Sequence, residues 1–155
     1  MGQKLSTALF ALVLLTLVTG TVDAAPNFSV KDVNGPNAFA FDGFATATPG
    51  PAATGSVQVP VAAVGRFVAD NGTITDGVRT LVVGGVTFHE TFTCTYTVNA
   101  DGTGHAECDL NGGRGHQHES YDFVIVKKKD EVFFTSTTLG GTIRGVAKSQ
   151  QKADD

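Results

Sequence analysis

From Val86 to Val98 the chain alternates apolar and polar positions without a break. Val86, Phe88, Glu90, Phe92, Cys94, Tyr96 and Val98 fall on one side of an extended backbone, and Thr87, His89, Thr91, Thr93, Thr95 and Thr97 on the other. A period of two is that of a β-strand with one face in a core and the other in water. Seven further segments predict strands: Ala38–Ala45, Val57–Ala69, Thr73–Val82, Thr103–Asp109, His118–Lys127, Val132–Thr138 and Thr142–Lys148. Each is rich in Val, Thr, Phe or Ile and bounded by Gly, Asn or Asp. Beyond the N-terminus no segment carries a helical period of useful length.

The breaks between these segments are mostly short: Asp70-Asn-Gly72, Gly84-Gly85, Ala100-Asp-Gly102, Lys128–Asp130 and Gly140-Gly141. Glycine and asparagine supply the positive φ angles that tight hairpins need. Only Thr46–Ser56 and Leu110–Gln117 are long, and the former is expected to cross a barrel mouth. Strands joined by tight hairpins are antiparallel, because parallel neighbours need long crossovers. Eight of them in a meander leave two exposed edges unless the sheet closes on itself. The expectation is an all-β fold: an eight-stranded antiparallel up-and-down barrel of lipocalin-like form, with a two-sheet sandwich as the alternative.

Both cysteines lie in one of these hairpins. If Ala100, Asp101 and Gly102 form a three-residue loop, Asn99 pairs with Thr103, and counting outward brings Cys94 opposite Cys108. Laterally opposed strand residues are close enough for a disulfide. So short a closed loop stabilises by about 3 kcal/mol at most. Nothing adjacent would lower a thiol pKa, so the pair reads as structural.

The N-terminus adds a compartment. Lys4 followed by the apolar run Leu5–Val18 and small residues at Val22 and Ala24 has the form of a secretory signal, with cleavage expected after Ala24. The run is shorter than a spanning helix needs, which is about 18 to 20 residues. Residues 1–24 are thus read as a signal peptide and 25–155 as one barrel domain, secreted or periplasmic, with no membrane span in the mature chain. A disulfide suits that oxidising location.

The formal net charge is −4, and losing Lys4 and Asp23 with the signal leaves it unchanged. Lys127-Lys-Lys129, the only basic cluster, precedes Asp130-Glu131 at a turn and reads as a solvated tip. Nothing here favours nucleic acid as a partner. Asn27-Phe-Ser29 and Asn71-Gly-Thr73 match glycosylation acceptors.

Candidate chemistry centres on Glu90, a carboxylate in an otherwise apolar row. Burying it without compensation would cost several kcal/mol, so it requires a partner, a raised pKa or a place at the rim. Arg66 and Arg144 are the strand arginines considered as partners. Three readings stand: a solvated carboxylate near a mouth, a structural buried pair, or a polar anchor or general base facing a ligand. His116-Gln-His118 places two imidazoles on one face, a pattern that can chelate zinc or copper, but His89 and His105 fall in outward rows. No metal site is therefore assigned. No nucleophile elbow, phosphate loop or Ser/His/Asp set is present, and no cofactor is expected.

Several stretches share the character of one group of proteins: Tyr96-Thr-Val-Asn-Ala-Asp-Gly-Thr-Gly104, Phe39-Ala-Phe-Asp-Gly-Phe44, Gly65-Arg-Phe-Val-Ala-Asp-Asn-Gly-Thr-Ile74 and Gly141-Thr-Ile-Arg-Gly145. In these the chain resembles small secreted bacterial β-barrels grouped with the calycins and allene oxide cyclase-like proteins. The resemblance implies the eight-stranded barrel and carries no established activity with it. The chain departs from lipocalins in lacking Gly-x-Trp, since it contains no Trp. An eight-stranded barrel is either filled by side chains or holds one small ligand. The expected function is binding of a small apolar or amphipathic ligand by Phe41, Phe88, Phe92 and Tyr96, oriented by Glu90 and Arg144. The alternatives are a filled barrel serving as a structural or protein-interaction module, and an isomerase- or cyclase-like enzyme using Glu90.

Overall fold

The computed structural model describes residues 27–47, 55–128 and 130–150. The expected signal peptide, most of the Thr46–Ser56 loop and Lys129 lie outside them. A 3₁₀ turn, Val30–Asp32, precedes eight strands: β1 (Gly35–Ala47), β2 (Val57–Asp70), β3 (Thr73–Val83), β4 (Val86–Val98), β5 (Thr103–Gly112), β6 (Gln117–Lys127), β7 (Glu131–Ser136) and β8 (Gly141–Ser149). Each pairs antiparallel with the next, and β1 pairs with β8 through Phe41↔Gly145 and its neighbours, closing the barrel. The expected barrel is thus formed, and the sandwich is excluded. Every strand but β4 differs from its expected bounds at one end or both; β1, for example, runs from Gly35 to Ala47 rather than from Ala38 to Ala45. Strand β5 runs on to Gly112, shortening the loop expected at Leu110–Gln117, and β7 stops at Ser136 rather than Thr138.

The hairpin between β4 and β5 has the expected three-residue loop. The Asn99 amide donates to the Thr103 carbonyl at 2.7 Å, and the Gly102 amide to the Asn99 carbonyl at 2.9 Å. From there the register runs outward to Cys94↔Cys108, whose Cα atoms are 4.1 Å apart and whose sulfurs are bonded. Both cysteines are buried, in the same inward row as Phe92 and Tyr96.

The interior is organised by aromatic rings lying over glycines of the neighbouring strand. Phe39 faces Gly65, Phe92 faces Gly77, Phe123 faces Gly104 and Phe134 faces Gly145 in direct register. A Cβ at any of these glycines would collide with the ring beside it. Glycine otherwise weakens a strand; here it makes the space in which a ring can lie flat. Around these rings the buried residues form two clusters. One holds Ile74, Phe92, Cys94, Tyr96, Cys108, Leu110 and Ile125. The other is centred on Phe41, Val61, Ala63 and Leu81.

The segment before β1 is tucked against the first cluster. Val33 is buried in it, the Phe28 amide donates to the Ala100 carbonyl at 3.1 Å, and the Tyr96 hydroxyl donates to the Val30 carbonyl at 3.2 Å. The Asn37 side-chain amide satisfies the Val33 carbonyl at 3.1 Å. These contacts hold the 3₁₀ turn against the barrel end formed by the β2–β3 and β4–β5 hairpins.

Candidate functional site

The central polar feature of the interior grows from one hairpin. Gly84 and Gly85 have φ of 56° and 87°, values that suit a two-residue turn between antiparallel strands. Val83 therefore pairs with Val86, and four residues further from the turn Arg79 pairs with Glu90. Both point inward and both are buried.

Around them a four-charge network closes. The Arg79 Nε donates to Glu90 Oε2 at 2.7 Å. Its Nη1 and Nη2 donate to the two oxygens of Glu119 at 2.8 Å each, a bidentate fork. Arg114, from the loop between β5 and β6, reaches in to donate from Nε to Glu90 Oε1 at 2.7 Å and from Nη2 to Glu119 Oε1 at 3.1 Å. The Tyr121 hydroxyl donates to Glu119 and accepts from Arg79 Nη1. Two carboxylates and two guanidiniums cancel, and among the described residues no buried side-chain N or O lacks a hydrogen-bond partner.

The charges shape one another's proton affinities. Burial pushes Glu90 upward, but hydrogen bonds from Arg114 and Arg79 and their charges together outweigh it and hold the carboxyl below its usual range. Glu119 is likewise pushed up by burial and drawn down further by Arg79, then by Tyr121 and Arg114, to about 2. Burial and the neighbouring Glu119 charge push the Tyr121 phenol up. All four charges are thus held ionised at neutral pH.

Beside the network lies a partly open space of about 100 Å³. Phe39, Phe92, Tyr96, Phe123 and Phe134 line it, the Cys94–Cys108 bond forms part of its wall, and Arg79 and Tyr121 supply its polar end. The Arg79 guanidinium also sits over the Phe41 ring, 5.8 Å from its centroid.

Set against the expectations, Phe41, Phe92 and Tyr96 do line the space. Phe88 does not; it packs against the second cluster, with Phe41 and Leu81. Glu90 is not a solvated rim carboxylate: its side chain is fully covered by the two arginines. Its partners are not Arg66 and Arg144. Arg66 points outward to Asp76 at 2.9 Å, and Arg144 lies on the outer wall, opposite Asp42 in register. Arg144 alternates with the inward residues Ile143 and Gly145 and so faces away from the interior. It cannot orient an interior ligand.

The residues the sequence reading missed are Arg79, Arg114, Glu119 and Tyr121. Three of them were accessible to counting. The Gly84-Gly85 turn pairs Arg79 with Glu90 once Glu90 is placed inside. Glu119 and Tyr121 share a row with Phe123 and Ile125.

A second polar cluster lies on the outside of β5 and β6. His105 bridges Asp122 at 2.6 Å and Glu107 at 2.7 Å, and His118 bridges Glu107 at 2.8 Å and Asp109 at 3.1 Å. Hydrogen bonds to Asp122 and then Glu107 raise the His105 pKa, and those to Asp109 and then Glu107 raise that of His118. Among the described residues no group of three or more His, Cys, Asp or Glu side chains is arranged to hold a metal ion.

The fold and interior define a closed eight-stranded antiparallel β-barrel, consistent with a calycin-like fold, with a disulfide between adjacent strands and a neutral ion network inside. Compared with known proteins, the chain matches no family model, no curated protein and no solved structure. Among the described residues no helix is long and apolar enough to cross a membrane. The disulfide is compatible with a secreted or periplasmic protein.

Proposed function

We propose that this is a secreted or periplasmic barrel of calycin-like type that encloses one small, chiefly apolar molecule. The observation that carries the reading is the aromatic-lined space of about 100 Å³. A water takes roughly 30 Å³ of liquid, and an apolar cavity of roughly 150 Å³ admits benzene. The space therefore exceeds a single water, but it is well below the roughly 300 Å³ at which drug-sized pockets begin. A ligand of a few carbons, or a small aromatic ring with slight rotation of the surrounding phenylalanines, fits that scale.

The network narrows the chemistry further. Arg79 already donates to Glu90, Glu119 and Tyr121. An anionic head group would have to displace one of these carboxylates, so an apolar ligand is favoured over an amphipathic one. Glu90 has both oxygens occupied by arginines, which leaves it poorly suited to acid–base chemistry. The rival is a barrel filled by its own side chains, favoured by the same small volume and by a network that needs no ligand to be satisfied.

Native mass spectrometry of protein from its own source, with thermal shifts on titrating benzene or toluene, separates the two. Binding predicts a co-purifying mass or a rise in Tm. It also predicts that Ala106→Leu, which fills the space from its wall, abolishes the response while the unliganded Tm stays near wild type. No co-purifying molecule and no shift with either hydrocarbon would establish the filled barrel instead.

A further inference from the structure

The outer surface of the barrel is divided. Along β4 it is a row of threonines, continued on β5 and β6 by His105, Glu107, Asp109 and His118. Across β7, β8, β1 and β2 a narrower apolar band lies between charged pairs such as Glu131–Lys148 and Arg66–Asp76. Phe133 pairs with Val146, Val146 with Ala40 and Ala40 with Val64, forming one continuous cross-strand row. Phe133 is 48% exposed, Val64 61% and, two same-face steps along β1 from Ala40 and beyond Asp42, Phe44 54%. Ala40 and Ala62 form the floor of a shallow groove between the larger side chains. Contiguous exposed apolar surface of this kind marks an interaction site. Barrel closure has removed the strand edges, so contact must be made face to face.

Two charges in the groove identify the occupant. Asp42 and Arg144 are cross-strand partners beside the apolar row, yet among the described residues neither forms an ion pair with anything. The groove thus carries one acid and one base, with no net charge, and offers both projecting side chains and a small-residue floor. These are the properties of a self-complementary surface. In an isologous contact a residue i meets j and j meets i. We infer that this face joins two copies of the chain about a twofold axis. Asp42 of each copy then meets Arg144 of the other, and Val64 of each meets Phe133 of the other, because both pairs lie symmetrically about the β1–β8 seam. An anionic lipid surface would be repelled by the central carboxylate and is the weaker fit.

Sedimentation velocity of the purified protein over a wide concentration range tests this independently of what the interior holds. A dimer is expected. Val64→Glu should weaken it roughly tenfold or more by placing two unpaired acids in the contact. Asp42→Arg should weaken it similarly, and adding Arg144→Asp should restore it, because the swap rebuilds both pairs across the axis. Thr93→Glu on the polar wall should leave association unchanged. A protein monomeric at every concentration overturns the inference, including one that instead binds anionic vesicles through Val64. So does a dimer indifferent to the charge substitutions. Should Val64→Glu fail to fold, the Asp42/Arg144 swap decides alone.

Discussion

Inside the barrel Arg79 meets Glu90 at 2.7 Å; on its outer wall His118 meets Glu107 at 2.8 Å. Each pair belongs to a network in which one residue bridges two of opposite sign. The inner network runs Glu90–Arg79–Glu119–Arg114, and the outer runs Asp122–His105–Glu107–His118–Asp109. Geometry hardly distinguishes them; surroundings do. The inner side chains of Arg79 and Glu90 are almost fully covered, whereas His118 and Glu107 are half exposed. Water competes for the outer groups and salt screens them. Inside, each group is committed to its partners, and losing one leaves another charge buried alone. Bond length therefore says little about how much a pair matters to the fold.

The largest expected difference follows from removing the central inner cation. Arg79→Met leaves Glu90 and Glu119 with only Arg114 between them, an uncompensated buried charge. Breaking such a pair costs about 3–5 kcal/mol, measurable as a shift of the urea midpoint. Arg79→Met combined with Glu119→Gln restores neutrality. It keeps the Arg114–Glu90 contacts and leaves Tyr121 an acceptor, so it should recover a large part of that loss. A single substitution costing less than about 1 kcal/mol would put the inner network in the same class as an exposed one.

How much of this was legible in the chain depended on parity and its interruptions. Strand β4 keeps strict alternation from end to end, which is why Glu90 was placed inside, and the three-residue loop after it set Cys94 opposite Cys108. Strand β3 does not. Its register against β4 shifts between Ile74 and Gly77, so counting by twos from buried Ile74 reaches Val78 and assigns Arg79 to the solvent face. Such a bulge cannot be seen in a stretch where Val78, Leu81, Val82 and Val83 are all apolar. Only the turn at Gly84-Gly85 carries the correct phase, counted backward. In β6 His118, which with His116 of the preceding loop reads as a metal-ligand pattern, belongs to the outward row complementary to that of Glu119 and Tyr121. Arg114 comes from a loop, where no period operates, and its place at Glu90 follows only from the folded backbone.

The acid limb sharpens the comparison with a smaller effect. Glu119 has a folded pKa of about 2, below the ordinary value of roughly 4.3 for an unfolded glutamate. A carboxylate depressed on folding contributes stability that is fully present above its unfolded pKa and lost as pH falls through the folded one. Stability should therefore decline between about pH 4.3 and pH 2. Glu119→Gln, already without the carboxylate, should show a shallower decline over that interval in chemical denaturation. Parallel slopes for the two proteins would mean that the acid sensitivity arises outside the network.

The outer network should respond in the opposite direction and by the least. His105 and His118 have pKa values raised by their carboxylate partners. Their contribution is thus fully present below the unfolded histidine pKa of about 6.5 and is lost as pH rises through the elevated folded values. In that range Glu90, Glu119, Arg79 and Arg114 keep their charges, so the inner network stays constant while the outer one is discharged. Replacing His118 by Gln should lower Tm slightly at about pH 5.5, and wild type and variant should converge by about pH 8.5. Added salt should shrink the acidic difference, because these groups face water. A difference that persists undiminished at alkaline pH would show that His118 acts through packing or neutral hydrogen bonds. The outer network would then lose its standing as the exposed counterpart of the inner one.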